Sequence, residues 1–131
     1  MIRILILLTF LVGLSFQQEW EPVGYLSGGQ PTPPGTLTGY VFKNQYKFLV
    51  SRFTYNYTAP DMKFWAVDKN ENSELSWQES SGYSLTAIIP PGKYKDAAVV
   101  VNLRDGKSTD DLKYFGLWCE QFEIGFAYVE L

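Results

Sequence analysis

The sequence predicts an all-β protein, an antiparallel β-sandwich or distorted β-barrel, preceded by a signal peptide. Three observations carry that expectation. Aromatic residues make up 17% of the 131-residue chain, and aromatic and β-branched residues fit the pleated, half-buried surface of a strand. The bulky residues fall in short runs separated by polar or Pro/Gly turn signals. The closing segment alternates, with Phe122, Ile124, Phe126 and Tyr128 on one face and Glu123, Gly125, Ala127 and Val129 on the other, the period of a strand.

The elements follow in order. Residues 1–17 open with Arg3 and then run apolar to Phe16, interrupted only by Thr9, Gly13 and Ser15. That run is shorter than the roughly 20 residues a membrane helix needs and has the charged start and apolar middle of a secretory signal peptide. Cleavage is expected after Ser15 or Gln17, giving a secreted, extracellular protein with no membrane span. Residues 18–35 form a Pro/Gly-rich lead-in, in which Trp20, Val23, Tyr25 and Leu26 are suited to an edge strand. Residues 36–131 form the β domain. A hairpin turn is expected at Lys43-Asn44-Gln45, between strands at 37–42 and 46–55. Further strands are expected at 63–67, 84–89, 97–103 and 115–119, with a polar turn at Lys69-Asn70-Glu71-Asn72 and a stop at Pro90-Pro91-Gly92. Ser108-Thr109-Asp110-Asp111 carries helix-start chemistry, because its side-chain oxygens accept from free backbone N–H groups.

Composition excludes several functions. Hydrophobic residues are 46% of the chain, enough for a packed core. The formal charge of −3 without a basic run argues against nucleic acid and anionic membranes as partners. Histidine is absent, which removes Ser-His and Cys-His hydrolytic machinery and the commonest metal ligand. A single cysteine excludes an intrachain disulfide. No metal site is expected: zinc would have one thiolate, and Asp110-Asp111 reads as a helix start, not as part of a calcium loop.

One region carries identity. Leu117-Trp118-Cys119, Phe122, Ile124 and Phe126 resemble the closing motif of the DM-thirteen domain family, an electron-transfer DM domain found in Skeletor-type proteins and beside DOMON domains. Upstream, Phe53 and Tyr55, Pro60-Asp61 and Phe64-Trp65 match further elements of that family, and Leu26-Ser27-Gly28 with Thr38-Gly39-Tyr40-Val41 look like its opening. The resemblance spans about residues 26–129. It implies extracellular electron transfer or oxidative modification of matrix and cell-surface proteins, with Cys119 as a bare thiol or as a ligand for a prosthetic group such as haem. The chain departs from the family at Gly35, Asn56-Tyr57, Ala59, Val67 and Ala127. Side chains at Val67 and Ala127 take up space a cofactor would need, so haem is disfavoured and no cofactor is expected.

The candidate site residues follow. Cys119 is either a redox thiol in an oxidising compartment or a small hydrophobe buried among rings. No lysine or arginine lies within five residues of it in sequence. Trp118, Trp65, Phe64 and Phe122 are candidate binding aromatics for a sugar or peptide, with a core cluster as the alternative. Trp20 and Trp77 lie among polar residues and are expected to be exposed. Asn56-Tyr57-Thr58 is a glycosylation sequon, which makes the chain a glycoprotein if the loop is exposed. The resulting expectation is a secreted redox module acting through Cys119, whose partners are extracellular or cell-surface proteins, including a separate redox partner. The alternative is a matrix structural or interaction module, carbohydrate-binding in one version, whose cysteine only packs.

Overall fold

The computed structural model describes residues 19–69 and 74–131. The signal peptide expected at 1–17 and most of the polar turn expected at 69–72 lie outside the described residues.

The strands are β1 (Glu21–Tyr25), β2 (Leu37–Lys43), β3 (Lys47–Tyr55), β4 (Met62–Asp68), β5 (Tyr83–Ser84), β6 (Tyr94–Asn102), β7 (Leu112–Cys119) and β8 (Ile124–Glu130). They form two four-stranded sheets, ordered β1-β2-β3-β6 and β5-β4-β7-β8, with every strand pair antiparallel. The architecture is a sandwich and not a closed barrel. Part of the expected lead-in is structured, since β1 pairs along β2 as an edge strand.

Local chemistry sets the turns. Asn44 Oδ1 accepts from the backbone N–H groups of Tyr46 and Lys47 at 3.1 and 2.9 Å, a side-chain substitute for a backbone turn that closes the β2–β3 hairpin. Ser108 caps a single 3-10 turn, Thr109–Asp111, in a reciprocal capping box with Asp111, as its residue types predict. Buried Thr109 donates its hydroxyl to the Asn44 carbonyl at 2.9 Å, which ties this turn to the hairpin.

The core lies between the sheets. Phe48 of β3 stacks on Phe115 of β7 with ring centroids 3.9 Å apart, and Phe115 stacks in turn on Phe64 of β4. On one side the sheets are joined by Ser27, which exchanges backbone hydrogen bonds with Tyr128 at 3.2 and 2.9 Å.

Two expectations are corrected. The strand predicted over 84–89 is reduced to Tyr83–Ser84. Beyond it the Phe64 N–H donates to the Thr86 hydroxyl instead of to a carbonyl, which breaks the ladder, although Ile89 N–H still reaches the Met62 carbonyl at 2.7 Å. The uniform alternation expected over 122–129 also fails. Phe122 lies in the turn before β8 and is 57% exposed. Within β8 the register shifts, with Trp118 opposite Gly125 but Gly116 opposite Tyr128. Phe126 and Ala127 therefore both oppose Leu117, as in a β-bulge, and the extra residue exchanges the two faces beyond it. Phe126, Ala127 and Val129 join the inner core, while Tyr128 turns outward.

Candidate functional site

The second sheet is apolar on both faces. In β7, Phe115, Leu117 and Cys119 point between the sheets, and Tyr114 and Trp118 point away. Across the ladder Met62 faces Cys119, Lys63 faces Trp118 and Phe64 faces Leu117. Strand alternation therefore separates the expected binding aromatics. Phe64 is inner core, Trp65 and Trp118 are outer, and Phe122 is at the rim of a pocket on the Cys119 side.

On the inner side, Cys119 is 1% exposed. It helps to wall a pocket of about 260 Å³ together with Gln30, Tyr57, Ile124 and Phe126. Exposed Thr58, Pro60 and Phe122 form the rim. Tyr57 and Phe126 pack with their ring centroids 5.6 Å apart. Buried Tyr55 donates its hydroxyl to the Ala59 carbonyl at 3.2 Å. Burial, with a smaller contribution from the charge Cys119 would carry on ionising, pushes the Tyr55 phenol up to about 12. The nearest strand partner with a positive charge, Lys63, turns to the opposite side. Its ammonium lies 3.2 Å from Glu120 and 3.4 Å from Asp61, and the hydrogen bond to Glu120 is the main cause of its raised pKa.

On the outer side, Trp65, Val67, Trp77, Tyr114 and Trp118 form a second cluster, with Tyr128 packed against it. Trp77 is 2% exposed, which overturns the expectation that its polar neighbours would leave it in water. The loop carrying it folds over the sheet, and Trp77 Nε1 donates to the Phe126 carbonyl at 2.8 Å. Gln78 pins the same loop by donating to the Gly125 carbonyl and accepting from the Gly125 N–H. Trp20, also expected to be exposed, is half-buried. Asn56 is exposed at the end of β3, beside Tyr57 and Thr58 of the Cys119 pocket.

The surroundings of Cys119 do not fit a haem. The pocket is below the usual range for small-molecule sites, about 300–1,000 Å³, and the cysteine is enclosed by the sandwich core. Val67 bears on the outer cluster and not on this pocket, so of the two crowding side chains only Ala127 packs in the inner core. Among the described residues no group of three or more His, Cys, Asp or Glu is placed to hold a metal ion, and no helix is long and apolar enough to cross a membrane.

Tyr55 and Trp77 are the residues that motif spacing does not place beside the candidate site. Tyr55 sits in the Phe-x-Tyr element, so its position was visible but not its approach to Cys119. Trp77 carried no local signal.

The fold and site define a small two-sheet β module with one buried thiol at a pocket and a separate aromatic layer behind it. The family model described as Electron transfer DM13 matches residues 31–131, and the chain belongs to that family. It is 31% identical over 85 residues to two Drosophila melanogaster proteins, Protein Skeletor isoforms B/C and isoforms D/E. Each match covers 63% of this chain but only 10% and 5%, respectively, of those longer proteins. No solved structure matches the chain.

Proposed function

We propose that this chain is a secreted electron-transfer module whose redox group is the Cys119 thiol, and which exchanges electrons with a separate extracellular or cell-surface protein docking at the rim formed by Thr58, Pro60 and Phe122. The observation that supports this reading is the placement of Cys119 in the wall of a pocket with an exposed rim. A thiol sealed on every side would have no approach for a partner. Family membership supports the electron-transfer class. The reading includes export of the chain, a glycan on Asn56 beside the pocket, and no cofactor.

The test is the rate at which a small methanethiosulfonate reagent labels Cys119 in native protein, compared with protein in denaturant. Labelling of the native fold that persists under stabilising conditions supports the proposal. Labelling only on unfolding overturns it. That second outcome would favour a structural matrix module, a reading supported by the 1% exposure of Cys119 and its place opposite Met62.

A further inference from the structure

We propose that the outer aromatic layer is a relay for single electrons, running Trp65–Trp118–Trp77–Tyr128 with Tyr114 as a side branch. This deepens the electron-transfer reading but does not require that Cys119 be the redox group. The rings form a continuous series of contacts. Centroids are 5.7 Å apart from Trp65 to Trp118, 5.2 Å from Trp118 to Trp77, and 5.2 Å from Trp77 to Tyr128. Tyr114 lies 5.9 Å from Trp77 and 5.5 Å from Tyr128. The series crosses the sheet from β4 through β7 to β8, reaching the edge where Ser27 joins the two sheets.

The choice of ring types differs between the two faces. The stack between the sheets is Phe48, Phe115 and Phe64, rings that resist oxidation, although buried Tyr55 shares that core. Every ring of the outer cluster is an indole or a phenol, the aromatic side chains that give up an electron most readily.

The indole N–H groups are placed to keep a hole mobile. Trp77 Nε1 donates to a backbone carbonyl, which is too weak a base to take its proton. Trp65 Nε1 is buried with no acceptor, covered by Gly82, where any Cβ would collide with it. An indole that loses an electron while keeping its proton stays a cation radical, and its neighbour can refill it by electron transfer alone. Trp65 and Trp118 also line a pocket of about 390 Å³ with Glu120 and Glu123. Glu120 is paired with Lys63, while Glu123 has no ion pair among the described residues. Negative charge there favours a hole on the adjacent indoles and a cationic oxidant at the pocket.

The steps balance as follows. A cationic transition-metal complex acting as a one-electron oxidant at the Glu120/Glu123 rim gains an electron from Trp65 or Trp118, leaving an indole cation radical. Trp77 supplies an electron to that hole. Tyr128, which is half-buried, supplies an electron to Trp77 and releases its phenolic proton to water, ending as a neutral tyrosyl radical. A thiol or enediol reductant returns one electron and one proton to Tyr128.

The test is flash photo-oxidation of the full chain by a ruthenium polypyridyl complex, a cationic one-electron oxidant, followed by transient absorption and electron paramagnetic resonance. The expected result is a tryptophan cation-radical signal that decays as a tyrosyl signal rises. Trp77→Phe, checked for folding by circular dichroism, should lose the coupled tyrosyl rise while keeping the tryptophan signal. The double change Tyr114→Phe/Tyr128→Phe, which removes both phenols packed on Trp77, should lose the tyrosyl rise coupled to tryptophan decay. Trp20→Phe should leave both signals unchanged. An unchanged tyrosyl rise in folded Trp77→Phe, or in folded Tyr114→Phe/Tyr128→Phe, overturns the relay. Cys119→Ser separates the two ideas: the relay requires its kinetics to survive that change, whatever the thiol labelling shows.

Discussion

Trp77 Nε1 donates a 2.8 Å hydrogen bond to the Phe126 carbonyl, joining a surface loop to the point where β8 changes face. Phe126 and Ala127 together oppose Leu117, and the indole caps the backbone there while packing edge-on to Trp118. The loop, the bulge and the outer aromatic layer therefore depend on one another.

Trp77→Phe removes the donor, leaves the Phe126 carbonyl without it, and opens space in the outer cluster. A loss of about 2–4 kcal/mol is expected, read as a lower urea midpoint with an unchanged slope. Near-ultraviolet circular dichroism should weaken as well, because the Trp118 and Tyr128 rings lose their neighbour. A midpoint equal to that of the parent would mean the loop is not docked in solution.

Gly125→Ala tests the same junction from the strand side. A Cβ at position 125 would stand 2.6 Å from Trp118 Cζ3 and collide with Trp77 Nε1. The Trp77 indole cannot move aside without giving up its bond to the Phe126 carbonyl, so a destabilisation of about 1–3 kcal/mol is expected. Thermal unfolding monitored by tryptophan fluorescence checks it, and a shift within error of zero would refute this packing.

Cys119→Ser places a hydroxyl where a nearly apolar thiol now sits, opposite Met62 and within the inner core. A cost of about 1–3 kcal/mol is expected. Cys119→Ala adds no polar atom and should cost less. If the serine variant were the more stable of the two in urea titration, the surroundings of position 119 would be polar, contrary to the structure.

Alkaline pH should unfold the protein through its buried phenols. Burial, with a further contribution from Cys119, holds Tyr55 at about 12, whereas an unfolded tyrosine ionises near about 10. The folded state therefore retains a proton that the unfolded state releases. Stability is fully present below about pH 10 and falls by roughly 2–3 kcal/mol as pH rises to 12. Tyr83, raised by burial and by its hydrogen bond to Asp68, acts in the same direction. Tyr55→Phe lowers stability at neutral pH by about 1 kcal/mol through the lost bond to the Ala59 carbonyl, and should flatten the slope between pH 10 and 12. An equally steep alkaline limb in that variant would assign the effect to other groups.

Local chemistry was enough to read most of the scaffold. The bulky runs marked β2, β3, β4, β6 and β7, Asn44 and Ser108 marked the turns beside them, and Leu117-Trp118-Cys119 with Phe122 carried the family. Each depends on neighbours in sequence: a period of two, a side chain bonding its own backbone, or a fixed spacing. Three features were decided only by the tertiary structure. The inserted residue in β8 exchanged faces beyond Phe126, and no local signal distinguishes that bulge from continuous alternation. Trp77, among polar neighbours, became buried because its loop folds over a sheet whose outer face is also apolar. The candidate binding aromatics divided between two layers, because strand pairing sets Phe64 and Trp65 on opposite sides of one sheet and places Cys119 behind Trp118. Burial is a property of which surfaces meet, and pairing between distant strands settles that.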